Sequence, residues 1–117
     1  MSDYSKELIA ASTIPIVLEI LKEGDNYGYA IIKKVQQISG GSLNWKEGTL
    51  YPVLAKLEER DLIQSYHKEE NGRLRKYYRL KPGGRKLAVQ LQEEWTSINT
   101  LMSRIWNIQK GLTWMKQ

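Results

Sequence analysis

Residues 46–63 read KEGTLYPVLAKLEERDLI, and the interpretation of the whole chain starts from this stretch. Its apolar residues follow the i, i+3, i+4, i+7 spacing of an amphipathic helix; they are Leu50, Val53, Leu54 and Leu57. The spacing predicts a core-packed helix from about Glu47 to Arg60. Asn44 and Glu47 have capping-box spacing, which would start the helix slightly earlier.

The opposite side of this helix carries hydroxyl, aromatic and basic groups near its start. Pro52 removes one backbone donor, but so close to the N-terminus the helix loses little. A DNA-recognition helix delivers its first residues to the major groove, where Thr49 and Tyr51 can donate to base edges or phosphates. Lys56 can reach a phosphate. The predicted DNA-contacting residues of this helix are Lys46, Thr49, Tyr51, Pro52 and Lys56.

A basic two-stranded hairpin is predicted to follow. Leu62 to His67 resembles one strand and Leu74 to Leu80 a second, and Asn-Gly at 71–72 is a strong hairpin-turn signal. Alternation puts Lys76, Tyr78 and Leu80 on one face and Arg75, Tyr77 and Arg79 on the other. Tyr78, in register with Leu80, is expected to pack on the helices.

The positive charge of the chain is concentrated around this hairpin. Residues 60–86 contain nine Lys/Arg and three acids, a net charge of +6, whereas the whole chain of 117 residues carries +5. Such a stripe is typical of a nucleic-acid contact, although a solvated face would have the same composition. The predicted hairpin contacts to DNA are Arg73, Arg75, Lys76 and Tyr77.

Two helices are predicted before the central stretch. The first spans residues 5–23, with Ser5 as N-cap and Gly24 as stop. Pro15 predicts either a kink in this helix or a short arm followed by a helix that starts near the proline. After a turn at residues 24–26, Tyr27 to Ser39 forms the second helix, with apolar residues at Ala30, Ile31, Val35 and Ile38.

A long helix is predicted from Pro82-Gly83 to about Gly111. At about 28 residues, or roughly 40 Å, it is too long to bury its apolar stripe on a body of eighty residues. The economical partner is the same helix of a second copy. The predicted dimer-interface residues are Leu87, Leu91, Trp95, Ile98, Met102 and Ile105.

Several classes of function are disfavoured by the composition. The chain has no cysteine, one histidine and no acidic cluster with metal-ligand spacing, so we expect no catalytic site, no metal and no cofactor. The apolar stretch at residues 8–18 is too short to span a bilayer and lacks the basic start of a signal peptide. We therefore expect a cytoplasmic protein without membrane contact.

The order helix, helix, helix, hairpin, long helix predicts a mainly α fold with a small β-hairpin. It is the plan of a winged helix-turn-helix followed by a C-terminal dimerisation helix. We assign residues 1–81 to the DNA-binding domain and residues 82–117 to the dimerisation helix.

Three motifs resemble the PadR family of bacterial transcriptional regulators and occur in that family's order across roughly residues 15–95: YGY at 27–29, GTLYP at 48–52 and RKYYRL at 75–80. Two positions depart from the family pattern, since Gly83-Gly84 follows Pro82 and Asp61 occupies a position where glycine is common. The resemblance implies a recognition helix at 47–59, a wing at 68–76 and a dimer helix at 84–112. The chain length resembles the short subgroup of small homodimers, which includes multidrug-sensing repressors.

The resemblance also implies an effector site. In short members of the family, a tryptophan of the dimer helix can stack on flat aromatic ligands in a cavity at the dimer interface. Trp95 matches this position, although it can equally well pack the dimer core. The residues implied for this site are Trp95, Ile98, Asn99, Leu8, Ala11, Ser12 and Pro15.

The function predicted from the sequence is a homodimeric DNA-binding regulator, of repressor type. It binds an inverted-repeat operator in double-stranded DNA and is released by a flat aromatic effector. Two alternatives stay open. One is a winged helix that contacts proteins without specific DNA binding, and the other is an RNA-binding winged helix, which would need stacking aromatics exposed on the wing.

Overall fold

Four helices and three strands make up the part of the chain that the computed structural model describes, residues 4–115, with side chains described for residues 4–111. In order, they are α1 (Lys6–Glu23), β1 (Asn26–Tyr27), α2 (Gly28–Ile38), α3 (Glu47–Glu59), β2 (Ile63–Glu70), β3 (Arg73–Leu80) and α4 (Pro82–Met115). The predicted fold class is confirmed. Residues 1–3 and 116–117 of the two predicted domains lie outside the described part.

The core forms around the leucine stripe of α3. Leu50, Leu54 and Leu57 are completely buried, and Val53 packs beside them at partial burial. They meet buried aliphatic residues of the other elements: Val17, Leu18 and Leu21 of α1, Ile31 and Val35 of α2, and Ile63 of β2. Trp45, for which the sequence suggested no role, is also buried here. The predicted apolar face of α3 is thus its core face, whereas Ile38 of the predicted α2 stripe is exposed.

The two ends of α3 differ from the expected capping. Lys46 is the N-cap and makes no side-chain cap hydrogen bond, so the capping box predicted for Asn44 and Glu47 is wrong. At the other end, the Leu62 amide donates to the Leu57 carbonyl and the Asp61 amide to the Glu58 carbonyl, each at 3.0 Å. This is a Schellman motif, which needs a left-handed residue after the cap. Asp61 supplies it with φ 63°, where glycine is the usual residue.

Helix α1 is continuous from Lys6 to Glu23, with Pro15 inside it. The alternative of an arm followed by a helix starting near the proline is therefore wrong. The predicted cap is confirmed, because the Ser5 hydroxyl accepts a hydrogen bond from the Leu8 amide at 3.2 Å. In the turn before the proline, the buried Thr13 hydroxyl donates to the Ile9 carbonyl at 2.6 Å.

The hairpin is part of a three-stranded antiparallel sheet of order β1-β3-β2. Asn71 and Gly72 both have positive φ, 51° and 77°, which is the geometry of the predicted Asn-Gly hairpin turn. The additional strand, Asn26–Tyr27, lies within what the sequence suggested was a turn and the start of a helix. It pairs Asn26 with Tyr78 and Tyr27 with Tyr77.

The long helix α4 begins against the corner between α3 and β2. The Lys81 amide donates to the Leu62 carbonyl at 3.0 Å. Gly84 is buried there, and a Cβ at this position would overlap that same carbonyl. Gly83, one residue earlier, has only ordinary contacts, with the Leu62 side chain at 3.5 Å from the position of a Cβ. The close approach of two backbones thus requires glycine at position 84.

Most of α4 extends beyond the body of the protein. The helix has 34 residues, roughly 50 Å at about 1.5 Å per residue, and ends four residues later than predicted. Leu87, Ala88 and Leu91 pack on the core, whereas the apolar residues from Trp95 onward are exposed, as far as Ile108 at 60%. No helix within the described residues is long and apolar enough to cross a membrane.

We predict that Gly84→Ala destabilises the protein by about 1–3 kcal/mol, because the methyl group must displace the backbone at Leu62 or tilt α4. Urea denaturation at a fixed protein concentration measures this effect. Gly83→Ala is the matched control and should change stability by no more than about 1 kcal/mol. Equal effects of the two substitutions would contradict the close packing at Gly84.

Candidate nucleic-acid interface

The predicted DNA contacts of α3 lie at its surface, four of them near its N-terminal end. Lys46, Pro52 and Lys56 are exposed, Tyr51 is 40% exposed and Thr49 is half-buried. None of these residues belongs to the buried core. Lys46, Thr49, Tyr51 and Pro52 thus lie at or near the start of α3, whereas Lys56 lies in its last turn.

Tyr51 does not extend straight outward from α3. A Cβ built on Gly28 would overlap the hydroxyl and ring of Tyr51, so this ring lies directly on the first residue of α2. Tyr51 also lines one cavity together with the hairpin residues 73–76. The side chain is therefore directed toward α2 and the wing.

The tip of the hairpin, residues 70–76, forms the wing and carries exposed cations. Arg73 and Lys76 are exposed, and they make no ion pair within the described residues. The Lys76 ammonium lies 5.7 Å from the ring centroid of Tyr78. Leu74, between them in sequence, is 71% exposed. The wing tip therefore combines two available positive charges with one apolar side chain.

The outer face of the sheet carries an aromatic ladder of Tyr27, Tyr77 and Tyr66, one residue from each strand. Tyr77 lies in the middle, with its ring centroid 5.3 Å from that of Tyr27 and 5.8 Å from that of Tyr66. It is only 8% exposed. Its hydroxyl donates to a carboxylate oxygen of Glu70 at 2.6 Å. The predicted placement of Tyr77 as an exposed DNA-contacting aromatic is therefore wrong.

Two arginines of the outer face already have partners within the protein. The Arg75 guanidinium lies 4.3 Å from the ring centroid of Tyr27 and pairs with Glu70 at 3.5 Å. The Arg79 guanidinium lies 4.7 Å from the ring centroid of Tyr66 and pairs with Asp25 at 3.2 Å. Each arginine thus contacts a ladder tyrosine and is paired with a carboxylate, Arg75 with Glu70 at the end of β2 and Arg79 with Asp25 beside β1. Of the predicted wing contacts, Arg73 and Lys76 are thus better placed for an external partner than Arg75.

Two tyrosines of the ladder, Tyr66 and Tyr77, have raised pKa values. A hydrogen bond to the Glu70 carboxylate, followed by burial and by the charge of Glu70, raises the pKa of Tyr77 from 10.0 to about 12. The hydrogen bond from the Tyr66 hydroxyl to Asp25, at 2.6 Å, raises the pKa of Tyr66 as well. Both phenols act as neutral donors that fix the two carboxylates.

Two cavities meet at Trp95 on the exposed side of α4. The first, about 430 Å³, lies between α1 and α4 and is lined by Ser12, Pro15 and Trp95 together with Glu19 and Gln92. The second, about 410 Å³, is lined by Leu8, Trp95, Ile98 and Met102. Ala11 and Asn99 line neither cavity. Four of the other six predicted effector residues thus line a cavity together with Trp95, and Glu19 is a polar wall residue that sequence reasoning missed.

The described residues contain no group of three or more histidine, cysteine or acidic side chains that could hold a metal ion. His67 is exposed on β2, opposite Lys76 of β3.

Comparisons with known proteins find similarity to a protein family, to a curated sequence and to solved structures. The transcriptional regulator PadR-like family model matches residues 17–90. A Lysinibacillus sphaericus protein is 31% identical over 97 residues, which cover 82% of this chain and 89% of that protein. A solved transcriptional regulator from Clostridium thermocellum is 37% identical with a TM-score of 0.79, covering 86% of this chain and 96% of that one. A PadR family transcription regulator from Clostridium difficile is 32% identical with a TM-score of 0.70, covering 80% and 97% respectively.

We predict that one tyrosine ionises about two pH units above the ordinary value of 10.0, because the Tyr77 phenolate would face Glu70. The hydrogen bond between Tyr77 and Glu70 raises the pKa of Tyr77 in the folded state. Its contribution to stability is therefore complete below pH 10 and is lost as the pH rises through about 12. Spectrophotometric titration of wild type and Tyr77→Phe identifies the transition. Glu70→Gln should lower it toward 10, and an unchanged transition in Tyr77→Phe would refute the assignment.

Proposed function

Because the chain belongs to the PadR-like family of transcriptional regulators, which are not enzymes, we propose that it represses transcription by binding an inverted-repeat operator as a homodimer. The observation that carries this proposal is that α3 and the wing meet at Tyr51 and that both elements carry exposed cations, namely Lys46, Lys56, Arg73 and Lys76. Cations on two adjacent elements can neutralise phosphates on both sides of a groove. In this arrangement α3 enters the major groove and the wing enters the adjacent minor groove.

The exposed half of α4 supports a dimer. From Trp95 to Ile108 the helix exposes seven large apolar side chains along its length: Trp95, Ile98, Leu101, Met102, Ile105, Trp106 and Ile108. Monomeric proteins rarely leave so extensive an apolar surface in water. A second copy of α4 packed on this face would bury it and give two recognition helices related by a two-fold axis. Leu87 and Leu91 already pack on their own core, so they contribute less to this interface.

The cavities beside Trp95 support an effector site. Volumes of about 430 and 410 Å³ lie within the range of roughly 300–1,000 Å³ that small-molecule sites occupy. Because both open on the face of α4 assigned to the dimer, a flat aromatic molecule stacked on Trp95 would alter the packing between the two copies. A change in the spacing of the two recognition helices would weaken operator binding.

The alternative of a wing that contacts only proteins is weaker, although a basic surface can also meet an acidic protein. The RNA alternative, which needs exposed stacking aromatics on the wing, is weaker too, since Tyr77 beside the wing is only 8% exposed. A gel-shift with genomic fragments at physiological salt tests the proposal. A repressor should retain a few specific fragments, whereas retention of none would favour a protein-only module.

We predict that Lys76→Ala weakens binding to a retained fragment and to random duplexes by similar factors. It should also lower the slope of log K against log salt concentration by about one, because one phosphate contact is lost. Fluorescence anisotropy at several salt concentrations gives the slope. Lys110→Ala, on the distant part of α4, should leave the slope unchanged. The same slope in wild type and Lys76→Ala would exclude Lys76 from the phosphate contacts.

We predict that acridine, a flat aromatic dye, binds the wild-type protein and that Trp95→Ala weakens this binding roughly tenfold, because a stacking surface is lost. The anisotropy of the dye itself reports binding, so the measurement does not depend on the remaining tryptophans. Val89→Ala, on the same helix but in neither cavity and outside the predicted dimer interface, is the control and should bind as wild type does. Equal affinities in Trp95→Ala and wild type would remove Trp95 from the site.

A further inference from the structure

A narrow cleft separates the wing from the helices. It has a volume of about 200 Å³, and Tyr27 and Gly28 are among its lining residues. Its walls come from both sides, with Tyr29 of α2 and Tyr51 of α3 facing the wing residues Arg73, Leu74, Arg75 and Lys76. This volume lies below the roughly 300–1,000 Å³ of small-molecule sites. The cleft therefore suits a short length of extended chain better than a compact ligand.

Hydrogen-bonding groups in the cleft are available to an external partner. Tyr29 is 56% exposed and Tyr51 40% exposed. Within residues 4–111, neither hydroxyl has a hydrogen-bond partner, whereas the hydroxyls of Tyr66 and Tyr77 are bound to carboxylates. The Lys33 ammonium, 5.5 Å from the ring centroid of Tyr29, adds positive charge beside it. Two free phenol donors thus face the exposed cations of the wing.

The position of the cleft specifies what passes through it. In B-DNA each sugar–phosphate strand separates a major groove from a minor groove. If α3 occupies the major groove and the wing occupies the adjacent minor groove, the strand between these grooves must run between α3 and the wing. The cleft is the gap between these two elements, and this step rests on the proposed function.

We propose that the cleft holds one segment of the DNA backbone, with a phosphate bound by the hydroxyls of Tyr29 and Tyr51 and by the ammonium of Lys76. Leu74 packs against the adjacent deoxyribose. In this role Tyr51 positions the protein on the duplex and does not distinguish bases, since backbone contacts set register without carrying sequence information.

Gly28 makes this position of Tyr51 possible. The phenol ring occupies the space that any side chain at residue 28 would fill. Substitution by alanine would therefore turn the Tyr51 hydroxyl away from the cleft while leaving it in the protein. Gly28 is buried at the start of α2 with a normal backbone conformation, so alanine is compatible with the helix itself.

The test is a coupling measurement between protein and DNA. A short duplex from a fragment that the wild-type protein retains is synthesised with a neutral methylphosphonate at one phosphate at a time. Its affinity is measured for wild type, Tyr29→Phe, Tyr51→Phe and Gly28→Ala. We expect one phosphate in each half-site at which the methylphosphonate weakens wild type about fivefold more than it weakens Tyr29→Phe or Tyr51→Phe. Gly28→Ala should lose the same coupling as Tyr51→Phe.

Tyr66→Phe is the matched control, because it removes a phenol hydroxyl that is bonded to Asp25 on the outer face of the sheet. It should show no coupling to any phosphate. If the wild-type protein binds a specific fragment but neither cleft tyrosine couples to a phosphate, the backbone clamp is overturned and the proposed function stands. If Tyr51→Phe changes base preference instead, Tyr51 is a base-reading residue and the clamp is again overturned. If the protein retains no fragment, both proposals fail.

Discussion

The burial of three leucines of α3 is the constraint on which the rest of the structure depends. Leu50, Leu54 and Leu57 are completely buried, and each contributes about 1.5–3 kcal/mol of transfer free energy relative to an exposed side chain. Because these leucines hold one face of a 13-residue helix against the core, the opposite face and the N-terminal end must remain in solvent. The Schellman motif at Asp61 then turns the chain directly into β2, so the wing emerges beside the recognition helix.

The arginines and lysine at residues 73–79 of β3 divide into two groups with different roles. Arg75 and Arg79 stack on tyrosine rings and pair with Glu70 and Asp25, so their charges help to hold the ladder and β1 together. Arg73 and Lys76 stay exposed. A wing held by its own aromatic and ionic contacts loses less conformational freedom when it binds a partner. The net charge of the segment therefore overstates the number of cations available to DNA.

Sequence patterning predicted the features that depend on local periodicity. The α3 stripe, the Asn-Gly turn, the Ser5 cap and the position of Tyr78 all follow from spacing or from turn chemistry within a few residues. Strand β1 was missed because two residues carry no periodicity, and their pairing depends on Tyr77 and Tyr78, fifty residues away. Tyr77 was misplaced for the same reason, since its burial comes from Tyr27 and Tyr66. The direction of Tyr51 depends on the absence of a Cβ at Gly28, because the Tyr51 ring occupies that space. No residue pattern within α3 indicates this contact.

The long helix α4 connects the surface of one chain to the proposed two-fold assembly. Gly84 anchors its start against Leu62, and its distal half leaves the body of the protein with its apolar face uncovered. Two copies joined along this face would carry two α3–wing surfaces.

Hydroxyl-radical footprinting of the wild-type protein on a retained genomic fragment tests the proposed dimeric DNA complex most directly. A symmetric dimer should protect two stretches of the DNA backbone, each spanning a major groove and the adjacent minor groove. The two stretches should be related by two-fold symmetry and lie about one helical turn apart. A single asymmetric protection, or protection without symmetry, would contradict the proposed complex.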